Sequence, residues 1–306
     1  MWSHLLLILL GGIALWLGAN NLVEGATSLA RRFGLSDLVI GLTVVAIGTS
    51  APEFAVTLTA AIDGKAAVSL GNIVGSNIFN IGIILGSVVL FGSIPTARQL
   101  VYRDTPILLF ASLALIGFTY DNIISLWEGA FFFSALCIYV FLTLKNARQT
   151  NKSERRSPER FGITDILRLA GGLTSVIIGA QFLVDNAVAV AQHFGLSEWL
   201  IGVTIVAIGT SLPELATSAA AAVRGNLSLS AGNLIGSDLF NVLGVLGVTA
   251  LINPLETNNE SRLDLLAMSV HIAIVLLFLR TGWRLRSSEG IILIVLGLAR
   301  WGLNFV

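Results

Sequence analysis

The chain has 306 residues, 55% of them hydrophobic and only 12% charged, with a formal net charge of zero. A soluble domain carries about twice that charge, so the composition excludes an ordinary water-soluble globule and selects a polytopic membrane protein. A single cysteine, Cys137, excludes an internal disulfide, and three scattered histidines, His4, His193 and His271, argue against a His/Cys metal cluster.

The apolar run from Leu5 has no basic segment before it. It continues through Gly18 to Ala30 without a processing junction. It is read as a retained first span, 3–32. A span needs about 20 mostly apolar residues, and further stretches qualify at 37–62, 67–91, 100–119 and 123–145. Lys145–Arg160 follows, the one polar stretch of any length, with Lys152, Arg155, Arg156 and Arg160. Five more spans are read at 162–193, 198–223, 228–252, 262–280 and 286–305. The expected fold is an all-α polytopic membrane protein of ten transmembrane helices. Residues 1–145 form an N-terminal five-helix half, 146–161 a linker, and 162–306 a C-terminal five-helix half.

The halves repeat one another. Gly41-Leu-Thr-Val-Val-Ala-Ile-Gly-Thr-Ser-Ala-Pro-Glu53 returns as Gly202-Val-Thr-Ile-Val-Ala-Ile-Gly-Thr-Ser-Leu-Pro-Glu214, and Gly71-Asn-Ile-Val-Gly-Ser-Asn-Ile-Phe-Asn80 as Gly232-Asn-Leu-Ile-Gly-Ser-Asp-Leu-Phe-Asn241, both at an offset of 161. Two homologous halves with an odd number of spans must lie in opposite orientations, so the repeat is inverted. With the linker in the cytoplasm, all of the eighteen Lys and Arg residues except Lys65, Arg262 and Arg300 fall on that side. This is a strong positive-inside bias and places both termini outside. Trp2, Trp16, Trp127, Trp199, Trp283 and Trp301 fall mostly near span ends, as an interfacial belt does.

The repeated motifs carry the chemistry. Pro52 lacks an N–H, and its ring displaces the carbonyl of Gly48, so the second span is expected to bend or break there. Exposed carbonyls are tolerated in a bilayer only where they line a cavity. Thr49, Ser50 and Glu53 then offer hydroxyl, carbonyl and carboxylate oxygens in one patch. Thr210, Ser211 and Glu214 repeat it. On the third span Asn72, Ser76 and Asn80 share a face, beside Gly71 and Gly75, which permit close helix approach. Asn233, Ser237 and Asn241 repeat that face beside Gly232 and Gly236. All these ligands are hard oxygens, which suit Ca²⁺, Na⁺ or Mg²⁺ and not Zn²⁺ or Cu⁺, with Mg²⁺ fitting less well because it prefers to keep its waters. Two buried glutamates are costly when bare. One Ca²⁺, two Na⁺ or two protons neutralise them, so loaded states cross and the empty one does not.

The paired G-T-S-x-P-E and G-N-x-x-G-S-x-x-x-N motifs resemble the α-repeats of the sodium/calcium exchanger family, in its compact prokaryotic form. The resemblance covers essentially the whole chain. It implies Ca²⁺/Na⁺ antiport by alternating access, with Ca²⁺ and Na⁺ as transported ions and no cofactor. It implies Glu53 and Glu214 as principal ligands, backbone oxygens of Ala46, Thr49, Ala207 and Thr210, and side chains of Ser50, Ser76, Asn80, Ser211, Ser237 and Asn241. It also implies that the first and sixth helices slide against the rest. The partners it implies are the two ions and the lipid bilayer of the cell membrane, with no nucleic acid and no obligate protein partner. The chain departs from the pattern at two places. A known archaeal member and the K⁺-dependent exchangers have Asp where Asn241 stands, which argues against K⁺ dependence. Asp238 holds a position often occupied by Asn, as Asn77 does in the first half, and either adds a third negative charge near the site or faces away.

Other readings stand beside these. Ser76, Ser237, Asn80 and Asn241 could serve only as interhelical glue. Asp238 lies about 100° around the helix from Ser237, and a packing or interfacial role is assigned to it. Glu24 and Asp185 match across the repeat and are expected to snorkel, or to pair with Arg31 or Arg32. Proton-coupled Ca²⁺ exchange on the same scaffold is the alternative function, disfavoured by Thr49 and Ser50, since that branch more often reads G-N-A-x-E. A channel is a third class. An intramembrane enzyme is the least supported, because no nucleophile–base pair accompanies the glutamates.

Overall fold

The computed structural model describes residues 2–150, 162–195, 207–257 and 259–302. Ten helices lie among them. The first five are α1 (Trp2–Phe33), α2 (Asp37–Thr49 and Ala51–Ile62), α3 (Ala66–Phe91), α4 (Leu100–Asp121) and α5 (Leu126–Thr150). The second five are α6 (Ile163–His193), α7 (Ala207–Thr210 and Leu212–Val223), α8 (Leu227–Ile252), α9 (Asn259–Gly282) and α10 (Ser287–Gly302). Most of the linker and the first part of the seventh span, including Trp199, lie outside the described residues. Seven of these helices are long and apolar enough to cross a membrane unaided, or eight counting the bent α2 as one span.

Two small antiparallel ladders show the inversion. β1 (Ile94–Pro95) follows α3, β2 (Ile123–Ile124) follows α4, β3 (Leu255–Glu256) follows α8 and β4 (Arg284–Leu285) follows α9. β1 and β3 are counterparts in the repeat, as are β2 and β4. Yet β1 pairs with β4, and β2 with β3. Because α4 runs from the first ladder to the second, equivalent loops of the two halves sit at opposite ends of the bundle. Helices are the only open-ended backbone a bilayer accepts, and these two-residue ladders sit at helix ends, where water is available.

Burial divides the helices into two groups. In their most apolar stretches α3 and α8 are 72% and 78% buried, while α1 and α6 are only 28% and 22% buried. The first pair forms the centre, and the second lies against it as a lipid-facing layer. One apolar core gathers around α3 and α8, with Ile73, Ile81, Leu108, Leu234, Val242 and Met268 inside it. A smaller cluster of Ala19, Leu22, Ala26, Val45, Val176 and Ala220 joins α1 and α6 to the centre.

Glycines fix the α1–α6 contact. A Cβ at Gly172 would lie 2.5 Å from the Leu22 amide nitrogen and 2.8 Å from the Gly18 carbonyl. A Cβ at Gly179 would lie 2.7 Å from the Leu15 nitrogen, and one at Gly11 2.9 Å from the Gly179 carbonyl. The two backbones therefore touch along Gly11, Gly18, Gly172 and Gly179, the small-residue packing that replaces hydrophobic drive in lipid. Near one end of this layer, Glu24 meets residues of the other half, Arg224 at 2.8 Å and Arg168 at 3.5 Å.

Candidate cation site

Local sequence breaks α2 and α7 at matching residues. Ser50 (φ −81°, ψ 10°) interrupts α2, and Ser211 (φ −89°, ψ 6°) interrupts α7. The two segments of α2 meet at 46°. Pro52 and Pro213 lie in the first turn of the second segments, where a missing N–H costs little. Glu53 and Glu214 sit in the same first turns, where the positive end of the helix dipole favours a negative charge. Both are fully buried.

Each carboxylate takes a hydroxyl from the opposite half. Ser50 Oγ donates to Glu214 Oε1 at 3.0 Å, and Ser211 Oγ donates to Glu53 Oε1 at 3.2 Å. Ser237 Oγ lies 3.3 Å from Glu214 Oε1 and 3.5 Å from the Ala46 carbonyl. Thr49 Oγ1 lies 3.4 Å from Ser237 Oγ and donates to Asn233 Oδ1 at 3.2 Å. Asn233 in turn donates to Ser218 Oγ at 3.0 Å, as Asn72 donates to Thr57 Oγ1 at 3.0 Å in the other half. The polar stripes of α3 and α8 are thereby tied to the second segments of α2 and α7.

The packing that brings them together is again glycine-dependent. A Cβ at Gly232 would lie 2.5 Å from the Leu38 carbonyl, and one at Gly236 2.7 Å from Leu42 Cα, so α8 meets α2 backbone to backbone. At Gly71 and Gly75 an added Cβ would meet nothing within 4 Å among the described residues.

What remains unpaired is as informative as what is paired. Among the described residues, Glu53 Oε2, Glu214 Oε2, Ser76 Oγ, Thr210 Oγ1, Asn80 Oδ1, Asn241 Oδ1 and Asp238 Oδ2 are buried without a hydrogen-bond partner. A buried polar atom left unpaired costs about 1–3 kcal/mol. The carboxylate and amide oxygens of Glu53, Glu214, Asn80 and Asn241 in this group only accept, and such oxygens are the chemistry that takes up a hard cation. Of the expected ligands, Ala46, Thr49, Ser50, Glu53, Ser76, Asn80, Thr210, Ser211, Glu214, Ser237 and Asn241 are all buried. Ala207 opens the described part of α7.

Two features were not foreseen. The helical turns Asn80–Leu85 and Phe240–Val245 are widened to π geometry, which is frequent at functional sites; nothing in their apolar sequence marks it. Asp238 is not interfacial. It is fully buried and accepts from Asn80 Nδ2 at 3.0 Å. The reason is that every residue from Leu229 to Leu239 is buried, so α8 has no outward face for a side chain 100° away to reach.

A family model described as sodium/calcium exchanger protein matches residues 3–145 and 165–298. The chain belongs to the sodium/calcium exchanger protein family. It is 37% identical to the putative antiporter CaxA of Alkalimonas amylolytica, over 94% of each chain. It is 31% identical to the sodium/calcium exchanger MaX1 of Methanosarcina acetivorans, over 95% of each. Among solved structures it superposes on the sodium–calcium exchanger NCX_Mj soaked with Na⁺ and Sr²⁺, with a TM-score of 0.88, 31% identity and 97% of each chain covered. Members of this exchanger family are membrane transporters, not enzymes, and the ten-helix fold of two five-helix repeats is theirs.

Proposed function

We propose that the protein exchanges Ca²⁺ for Na⁺ across the cell membrane by alternating access at the site built around Glu53 and Glu214. The observation that carries this reading is the crossed pair of contacts, Ser50 to Glu214 and Ser211 to Glu53. It brings one carboxylate from each half into one buried polar cluster amid unpaired oxygens. A divalent ion neutralises two carboxylates, and so do two Na⁺. Either load lowers the cost of enclosing them, whereas the bare site resists enclosure. The ligands are Glu53, Glu214, Ser50, Ser211, Ser76, Ser237, Asn80 and Asn241 through side chains, with Ala46, Thr49, Ala207 and Thr210 contributing backbone oxygens. MaX1 and NCX_Mj are named as sodium/calcium exchangers, which supports Na⁺ over H⁺ as the coupling ion.

Reconstituted vesicles test this. Vesicles loaded with Na⁺ are expected to take up ⁴⁵Ca²⁺ from Na⁺-free medium, and vesicles without a Na⁺ gradient are not. Uptake driven by a pH gradient in the complete absence of Na⁺ would replace this reading with proton-coupled exchange.

Residues 1–145 and 162–306 are proposed as the two inverted halves, with 146–161 cytoplasmic and both termini outside. In a Cys137→Ser background, a cysteine introduced at Ser153 is expected to react with a membrane-impermeant maleimide from the cytoplasmic side only. Labelling of intact cells from outside would reverse the topology.

A further inference from the structure

The two asparagines of the site can present either an oxygen or an NH₂ group to a cation, and only the oxygen binds it. Which end faces the site is decided by the hydrogen bonds on the other end. Asn80 Nδ2 donates to Asp238 Oδ1 at 3.0 Å. A carboxylate accepts and cannot donate, so this contact turns Asn80 with its NH₂ toward Asp238 and leaves Oδ1 buried and unpaired. Asn241 is turned by a two-step version of the same device. Asn77 Nδ2 donates to the backbone carbonyl of Asp238 at 3.2 Å, which leaves Asn77 Oδ1 to accept from Asn241 Nδ2 at 3.0 Å. Asn241 Oδ1 is then also buried and unpaired.

Asn77 and Asp238 are counterparts in the repeat, and the two contacts to Asn80 and Asn241 are mirror images. The Asp238 carboxylate spends one oxygen, Oδ1, on Asn80, as Glu53 and Glu214 each spend one on a serine of the opposite half. Its side-chain hydrogen bond is to Asn80.

The geometry points to Asp238 and Asn77 as positioning residues that lock the amides of Asn80 and Asn241 with their oxygens toward the transported cation. This inference rests on the site proposed above. An asparagine at 238 could reproduce the arrangement seen at 77, with its oxygen accepting from Asn80 and its NH₂ facing the Asn77 backbone. The function of position 238 is therefore an acceptor in the right place rather than a charge.

The test is Na⁺-driven ⁴⁵Ca²⁺ uptake by reconstituted full-length protein, with KM for Ca²⁺ and maximal rate measured separately. Removing a group that orients a ligand typically weakens metal affinity about 10–100-fold, so Asp238→Leu and Asn77→Leu are expected to raise KM by that factor with little loss of maximal rate, while Asp238→Asn stays within about threefold of the parent. Asn77→Leu carries the expectation independently where Asp238→Leu does not fold. Asp238→Asn as damaging as Asp238→Leu would show that charge, not orientation, is what matters and would overturn the inference. So would Asn77→Leu with the parent KM. A Glu53→Gln arm separates the two levels. If it kills uptake, these outcomes bear on positioning alone; if uptake survives it, the site itself is wrong and the positioning inference falls with it.

Discussion

Replacing Glu53 or Glu214 by Gln is expected to abolish Ca²⁺ uptake without unfolding the protein. Gln retains an oxygen that can accept from Ser211 or Ser50, the contacts made at 3.2 and 3.0 Å, so the crossed hydrogen bonds survive. What is lost is one negative charge in a pocket where both carboxylates are fully buried. Ca²⁺ would then be enclosed with half its charge uncompensated. Removing one partner of a buried ionic contact costs about 3–5 kcal/mol, which corresponds to a loss of affinity on the order of 100–1000-fold or more. The same substitution removes a buried anion that lacks a full set of partners, so the melting temperature in ion-free buffer is expected not to fall. The rise in melting temperature that Ca²⁺ gives the parent protein, by binding only the folded state, is expected to disappear. Substantial Ca²⁺ uptake by Glu53→Gln would remove that glutamate from the site.

The second large effect is expected from Gly172→Val, far from the pocket. The new Cβ would fall 2.5 Å from the Leu22 nitrogen and 2.8 Å from the Gly18 carbonyl. Both are backbone atoms of α1 that cannot swing aside, so the two helices must part. Overpacking of a tight contact costs about 1–3 kcal/mol when side chains can adjust, and more here, where only backbone can move. A fall in melting temperature of about 5 °C or more, or loss of monodisperse protein, follows for a chain of this size. Gly171→Val is the matched control: its Cβ would meet nothing within 4 Å, so it should behave like the parent. Equal damage from the two substitutions would mean that the seam does not hold α1 to α6.

Much of this architecture was legible because a bilayer leaves few options. Apolar runs of span length, one polar linker and a gap-free repeat gave ten helices whose described ends fall close to the expected ones. Pro52 and Pro213 marked the two breaks because proline cannot continue a hydrogen-bonded helix. The shared faces of Ser76 with Asn80, and of Ser237 with Asn241, followed from helical period alone. The rest depended on three-dimensional partners. That Ser50 serves Glu214 rather than its own neighbour Glu53 is set by how the halves cross. Glu24 meets Arg168 and Arg224, residues remote in sequence, whereas local spacing suggested Arg31 or Arg32. The interfacial reading of Asp238 failed because the helical wheel supposes one face turned away from the protein, and α8 has none over Leu229–Leu239.

The crossed serine–glutamate contacts bear on ancestry and on how the two copies can change. A single repeat would hold each carboxylate without the serine that reaches it from the other half, so half a chain has only half of the site. A one-repeat ancestor working by this chemistry would have needed two molecules inserted in opposite orientations, each finishing the other. Within one polypeptide that pairing is fixed in equal proportion, and the copies are tied together. Drift at position 50 is felt at 214 and drift at 211 is felt at 53, so neither half can diverge at these positions on its own.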